Sequence, residues 1–479
     1  MKRLLCCIFS FLMLFALLAG CAAVPDTSDT DTTGKATEAQ TDPAALALAE
    51  LSVDWGTEDF TIIGREDHVF GELTVADASA DVLDDAVYKR NLALEELCKL
   101  TLHCVGVPTE QLSSAVKADI KTGLGEYDAV HHHMAQTAAL AADGQLLDFA
   151  SLEGVDLDAP WWDAGTASFV ISDKVYFMNS AINYSDERTT YVMMFNKQLA
   201  EGKAIDPYAM VYNNAWTLDT FGGLITDVSY DLSGDGHFDE NDVYGFVVTW
   251  ETGNTFFYGS DLRYVICADG KDPYMAMDES ALNKASDLLD KVLNIYYTNN
   301  AAFGYIPGNE KPGKTCFQEG RALFYTEVVQ YVVALGKQME GDFGVLPIPK
   351  YDSAQKEYIT WTNAICSTTS VTKAAKETER LGKTLEIMAI LSYQRVTPAF
   401  YDTVLQRKSV RDEQSQGMLD IIFNNRCYDM SVYYDLGLEP LFKTCVNENK
   451  NNYTSAYAKQ SSKAQKALDK LIYNFAKDD

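Results

Sequence analysis

Basic residues are scarce in this 479-residue chain: 39 Lys and Arg face 69 Asp and Glu, a formal charge of −30 at pH 7. Without a basic stripe to release counterions, nucleic acid and anionic membrane surfaces are excluded as partners. The surplus negative charge suits a soluble, monomeric surface protein. No CxxC pair occurs, which removes zinc ribbons and dithiol redox centres. HExxH and GxSxG are also missing, which removes the helical zinc-protease site and the nucleophile elbow. Carboxylate pairs for glycoside hydrolysis could be drawn from any of the 69 acidic residues, so spacing decides nothing about them.

What is present starts with Lys2 and Arg3, then an apolar run from Leu4 to Leu18, then Ala19-Gly20-Cys21. That run falls short of the roughly 20 apolar residues that span a bilayer core, and residues 1–20 have the layout of a secretory signal peptide. The small residues before Cys21 resemble the bacterial lipobox. Such a motif implies lipid (diacylglyceride, palmitate) on Cys21 and a membrane anchor on the extracytoplasmic face; an uncleaved signal anchor is the competing reading. Residues 22–50 contain no aromatic residue, and 21–54 reads as a flexible tether with alanine-rich helical character at 42–51. Folding is expected to begin near Trp55.

Ten cysteines would suit a disulfide framework, yet Cys6 and Cys7 lie in the signal segment and Cys21 is the lipid site. The seven that remain are odd in number and widely scattered, so they are expected to behave as small buried hydrophobes.

From Phe60 onward strand-like and helix-like segments alternate, the pattern of a doubly wound α/β fold. Phe60 to Gly64 predicts a strand, and 85–100 carries a helical apolar face. Thr101 to Val107 and Tyr127 to Val130 predict further strands, and the pattern restarts at Val175 to Met178 and Tyr191 to Phe195. Ala322 to Tyr325 and Phe343 to Pro347 bracket a predicted helix, and Lys373 to Ser392 predicts a long amphipathic one.

The order of these features resembles the extracellular solute-binding lipoproteins of ATP-binding-cassette (ABC) importers, the group that takes up maltodextrins and other oligosaccharides. Carrying the resemblance are Asp84-Asp85-Ala86-Val87-Tyr88-Lys89-Arg90-Asn91, Gly125-Glu126-Tyr127-Asp128, Pro160-Trp161-Trp162-Asp163 and Ala215-Trp216-Thr217-Leu218-Asp219. Phe317 to Arg321, Gly344 to Asp352, Thr397 to Tyr401 and Arg411-Asp412 with Ser415, Met418 and Leu419 continue it. It implies a two-lobed periplasmic-binding-protein-like fold of type II, with three chain crossings forming a hinge over a central cleft. Residues 56–172 with 323–392 would form one lobe, and 173–322 with 393–479 the other. It further implies capture of a small solute, a sugar by analogy, in the interlobe cleft and delivery to ABC permease subunits without catalysis. A surface glycoside hydrolase and a polysaccharide-binding adhesin are the competing classes.

Two sets of residues carry candidate chemistry. Residues 231–242 match a calcium loop, with oxygen donors at Asp231, Ser233, Asp235, Asp239 and Asp242, the His237 carbonyl at position seven and Gly236 at the sharp turn. A structural Ca2+ ion is expected there, outside the cleft; an acidic turn without metal is the alternative. Sugars stack on aromatic rings and need polar partners for their hydroxyls. Trp361 with Asn363, and Trp250 with Glu251, are the candidates for those roles, whereas Trp161, Trp162 and Trp216 read as packing. His131 and His133 share one face of an extended segment and are read as polar solute contacts. No further histidine at a ligand spacing supports zinc.

Overall fold

Phe60, Ile62 and Ile63 put apolar side chains on both faces of one short run, as a strand covered on both sides requires. In a computed structural model, which describes residues 43–51, 53–56, 58–267, 271–304, 311–405 and 413–477, all three are buried in β1, Glu58–Arg65. The signal segment, Cys21 and most of the expected tether lie outside the described residues, as do Arg411 and Asp412. The end of that tether is ordered: Pro43–Glu50 is helical, and Ala44 is buried in the same apolar cluster as Phe60.

The other strands follow as β2 (Leu100–Val107), β3 (Ala129–His133), β4 (Tyr191–Asn196), β5 (Tyr244–Val247), β6 (Val265–Ile266) and β7 (Tyr274–Met275). After them come β8 (Ala302–Phe303), β9 (Ala322–Val328), β10 (Phe343–Leu346), β11 (Thr360–Trp361), β12 (Ser367–Ser370) and β13 (Arg426–Cys427). A four-stranded sheet runs β12-β3-β1-β2 and a five-stranded sheet runs β10-β4-β9-β5-β8.

In the first sheet β1 pairs in parallel with β2 and β3, so each connection must cross over, and helices Val82–Cys98 and Thr109–Thr122 do so. The Asp81 carboxylate caps the first of these by accepting from the Leu83 and Asp84 amides. In the second sheet β5 and β9 are parallel while β4 and β10 are antiparallel to their neighbours, so the sheet is mixed.

One boundary differs from the expectation. Residues 323–328 and 343–346, placed with the first lobe by the sequence, pair within β9 and β10 with β4 and β5 of the five-stranded sheet. Pairing selects the partner here: β9 is buried except at Glu327, and both of its edges are hydrogen-bonded to strands that lie far away in sequence.

Three segments join the sheets. One leads from Met178, which bridges Thr369 of β12, to β4. A second runs from β10 through β11 to β12. The third is helix Thr378–Leu405, whose Leu381, Leu385 and Met388 pack with Phe60 and Ile62 of the first sheet. Its Val396, Phe400 and Val404 pack with Val192 and Met194 of the second. Among the described residues no helix is long and apolar enough to cross a membrane. All seven described cysteines are free, five of them buried.

Candidate functional site

Parallel strands β1 and β3 end side by side at Arg65 and His133, the place where open α/β sheets bind ligands. Helix Glu66–Glu72 follows β1 and is kinked: Gly71 has φ +108, a value that suits glycine, and the kink returns Glu72 to the interior. Its carboxylate accepts from His131 Nε2 at 2.9 Å and from Arg188 Nη1 at 3.1 Å, and meets His68 Nδ1 at 2.9 Å. Arg188 also donates to Gln330 Oε1 at 3.2 Å, which brings in the helix that follows β9. Arg65 donates to Ser367 Oγ at 2.8 Å at the start of β12 and touches His133 Nε2. The network thus draws on the ends of both sheets.

Its charges are settled by burial and contact. Burial alone would raise Glu72, but the hydrogen bonds from His131 and His68 overcome it and hold the carboxyl well below its usual range. Burial lowers His131, and its neutral Nε2–H still serves as donor to Glu72. His132 is pushed down to about 3 by burial and by the neighbouring His133. His133 is pushed down to about 4 by burial and then by the Arg65 charge. The result is a hydrogen-bonded array of one carboxylate, two guanidiniums, the neutral imidazoles of His131 to His133 and an amide, most of it buried. Ser113 Oγ lies 3.1 Å from His132 Nε2, but His132 Nδ1 finds no partner among the described residues. Among the described residues no carboxylate orients that ring as an acyl-transfer triad requires.

The residues singled out from sequence divide. His131 and His133 both enter the network. Asn363 lies on the β11–β12 connection, donating from Nδ2 to the Tyr191 hydroxyl at 3.2 Å and from its amide to the Thr189 carbonyl at 3.1 Å, next to Arg188. Trp361 is 2% exposed between Tyr191, 5.1 Å away and parallel to within 7°, and Tyr258 at 5.0 Å. Both its faces are taken, so it packs the connection and offers no face to a sugar. Trp250 and Glu251 belong to a second cluster: Lys443 Nζ reaches Glu251 at 2.6 Å and Glu439 at 2.7 Å, and lies 5.5 Å from the Trp250 ring. Trp161, Trp162 and Trp216 are buried, as packing residues are. The first two donate from Nε1 to the buried Glu386 at 2.7 and 2.8 Å, and Trp216 donates to the Pro347 carbonyl at 2.8 Å. Glu72, Arg188, Gln330 and Arg65 were not singled out, because their neighbours come from distant segments and no local motif marks them.

The acidic loop 231–242 lies before β5. Asp231 Oδ1 accepts from the Gly234 amide and Oδ2 from the Gly236 amide, both at 2.7 Å. The buried Asp242 accepts from the Leu232 amide at 2.8 Å and the Asp239 amide at 2.7 Å. The carboxylates therefore face their own amides, and among the described residues no three His, Cys, Asp or Glu side chains are grouped to hold a metal ion. Residues 308–315 (GNEKPGKT) also meet the spacing of a phosphate-binding loop. Its first residues lie outside the described ones, and Lys314 sits 4.4 Å from the Tyr331 ring centre.

No protein-family model matches the sequence, and no curated protein does. Solved structures do match. A cyclic α-maltosyl-1,6-maltose binding protein from Arthrobacter globiformis is 12% identical, with TM-score 0.59, over 88% of this chain and 100% of its own. UspC of M. tuberculosis is 14% identical, with TM-score 0.58, over 85% and 100%. The maltose/maltodextrin-binding domain MalE from Bdellovibrio bacteriovorus, bound to maltotriose, is 14% identical, with TM-score 0.53, over 87% and 100%. At such identities the likeness establishes the fold: this chain has the two-lobed α/β architecture of those structures, as the resemblance implied.

Proposed function

We propose that the chain captures a carbohydrate between its two lobes and delivers it to an ABC-type permease, binding without turnover. The single observation that carries this reading is the network of Glu72, Arg188 and Gln330, which joins the ends of both sheets in a fold shared with a maltotriose-bound protein. Polar groups contributed by both lobes allow a bound solute to favour the closed arrangement. Secretion, lipid attachment at Cys21 and a short tether would hold the lobes near the permease and raise their effective concentration there. A melting-temperature screen over saccharides, amino acids, peptides and polyamines, with product analysis on each hit, tests the reading. Stabilisation of about 2.7 kcal/mol is expected at a hundredfold excess of ligand over Kd. Hydrolysis of the stabilising sugar would assign the chain to the glycoside hydrolases instead. We further propose that loop 231–242 binds calcium, which the order of its oxygen donors supports.

A further inference from the structure

The short helix Ser185–Arg188 sits in the first connection between the sheets. Residues two apart on a helix leave it about 200° apart, on opposite sides. Arg188 turns to Glu72 and the strand ends, whereas Asp186, two residues earlier, lies on the opposite side and with Glu187 lines a different cavity. That cavity, of about 220 Å³, is walled by Trp161, Trp162, Tyr393, Tyr401 and Phe423.

Two features of the cavity concern charge and shape. Asp163, Asp186 and Glu187 all approach the single guanidinium of Arg426, at 2.9, 3.3 and 3.3 Å. Three carboxylates against one cation leave excess negative charge in a largely buried place, even with the Tyr428 hydroxyl donating to Asp163 at 2.7 Å and to Asp186 at 3.3 Å. Burial and the adjacent Glu187 push Asp186 well above its usual range, so the cluster retains a proton where a second cation is wanting. Two of the aromatic walls are held in place by hydrogen bonds. Glu386 holds both indoles by their N–H groups, and Tyr393 stands edge-on to Trp161 with ring centres 6.5 Å apart.

We propose that this cavity is a second ligand site, for a small organic cation of the methylated-ammonium class. Aromatic faces attract such a cation through their quadrupoles, and its weak hydration lowers the cost of leaving water. A neutral sugar would leave the excess charge uncompensated, and an anion would be repelled. The site is independent of the saccharide reading, because its lining and that of the Glu72 network share no side chain.

The test uses tetramethylammonium chloride titrated into the full chain, with sodium chloride at matched ionic strength as control, read by tryptophan fluorescence and melting temperature. A saturable response to tetramethylammonium alone is expected, weakened about tenfold by Glu187→Gln and by Tyr393→Leu. Tyr393 is 41% exposed, so its replacement keeps the test open if the glutamine variant folds poorly. Saccharide-induced stabilisation measured on the same variants should persist. A tetramethylammonium response no different from that of sodium would overturn the proposal, as would binding unchanged in both variants. A response to maltotriose instead of tetramethylammonium, lost in those variants, would overturn it too and assign the cavity to a neutral sugar.

Discussion

Arg188 Nη1 donates to Glu72 Oε1 at 3.1 Å, tying the connection that leads into the second sheet to the kinked helix that leaves the first. Glu72 is 1% exposed, and Arg188 is one of three groups that satisfy it. Replacing Arg188 by Met should cost about 1–3 kcal/mol, the price of an unmet hydrogen bond to a buried charge. Urea denaturation checks it through the midpoint at unchanged slope. A cost near zero would mean that the pair does not hold the two ends together.

Glu386 is pushed up to about 7 by burial, against the pull of the two indole N–H groups and the Asp156 amide that donate to it. Glu386→Ala would strand both indoles, at about 1–3 kcal/mol for each buried donor. Glu386→Gln, which keeps one carbonyl acceptor, should lose roughly half as much. Equal losses in the two variants, by chemical denaturation, would show that packing rather than hydrogen bonding fixes the tryptophans.

Stability should fall on the acid side through the histidines. Their folded values are depressed by burial, to about 3 for His132 and about 4 for His133, so the unfolded chain binds protons first. The contribution is complete above the ordinary histidine value near 6.5 and drains away as pH falls through that value toward 4. His132→Gln and His133→Gln should each flatten the decline in melting temperature over that window. An unchanged pH profile in both variants would contradict this assignment.

Much of the first sheet was legible because its signals are local. Phe60 to Gly64 and Thr101 to Val107 carry their own strand composition, and both are strands within two residues of the predicted ends. The alternation rule put His131 and His133 on one face, and they meet Glu72 and Arg65, while His132 turns to Ser113. The illegible parts are relations over long separations. Trp161 reads as packing, yet nothing near it announces Glu386, 225 residues away. Trp361 reads as a cleft aromatic because the pattern around it cannot reveal Tyr191 and Tyr258 on its two faces. Glu72 follows a glycine in a short polar segment whose kink alone directs it inward. The assignment of β9 and β10 to a sheet fails for the same reason, since partner strands and not the strand's own residues decide it.

The acidic loop offers a clean metal test. If calcium binds residues 231–242, adding it should raise the melting temperature and a chelator should reverse the gain, with Asp235→Ala removing the difference. An identical melt with calcium and with chelator would leave the loop as an acidic turn held by its own amides.

The central claim is that the ends of the two sheets hold a saccharide without transforming it. Isothermal calorimetry of the chain with maltotriose and related oligosaccharides, followed by analysis of the recovered sugar, measures this most directly. The expected result is saturable one-to-one binding by at least one oligosaccharide, weakened in Arg188→Met, with the sugar recovered intact. No heat with any saccharide, or recovery of shorter products, would contradict it.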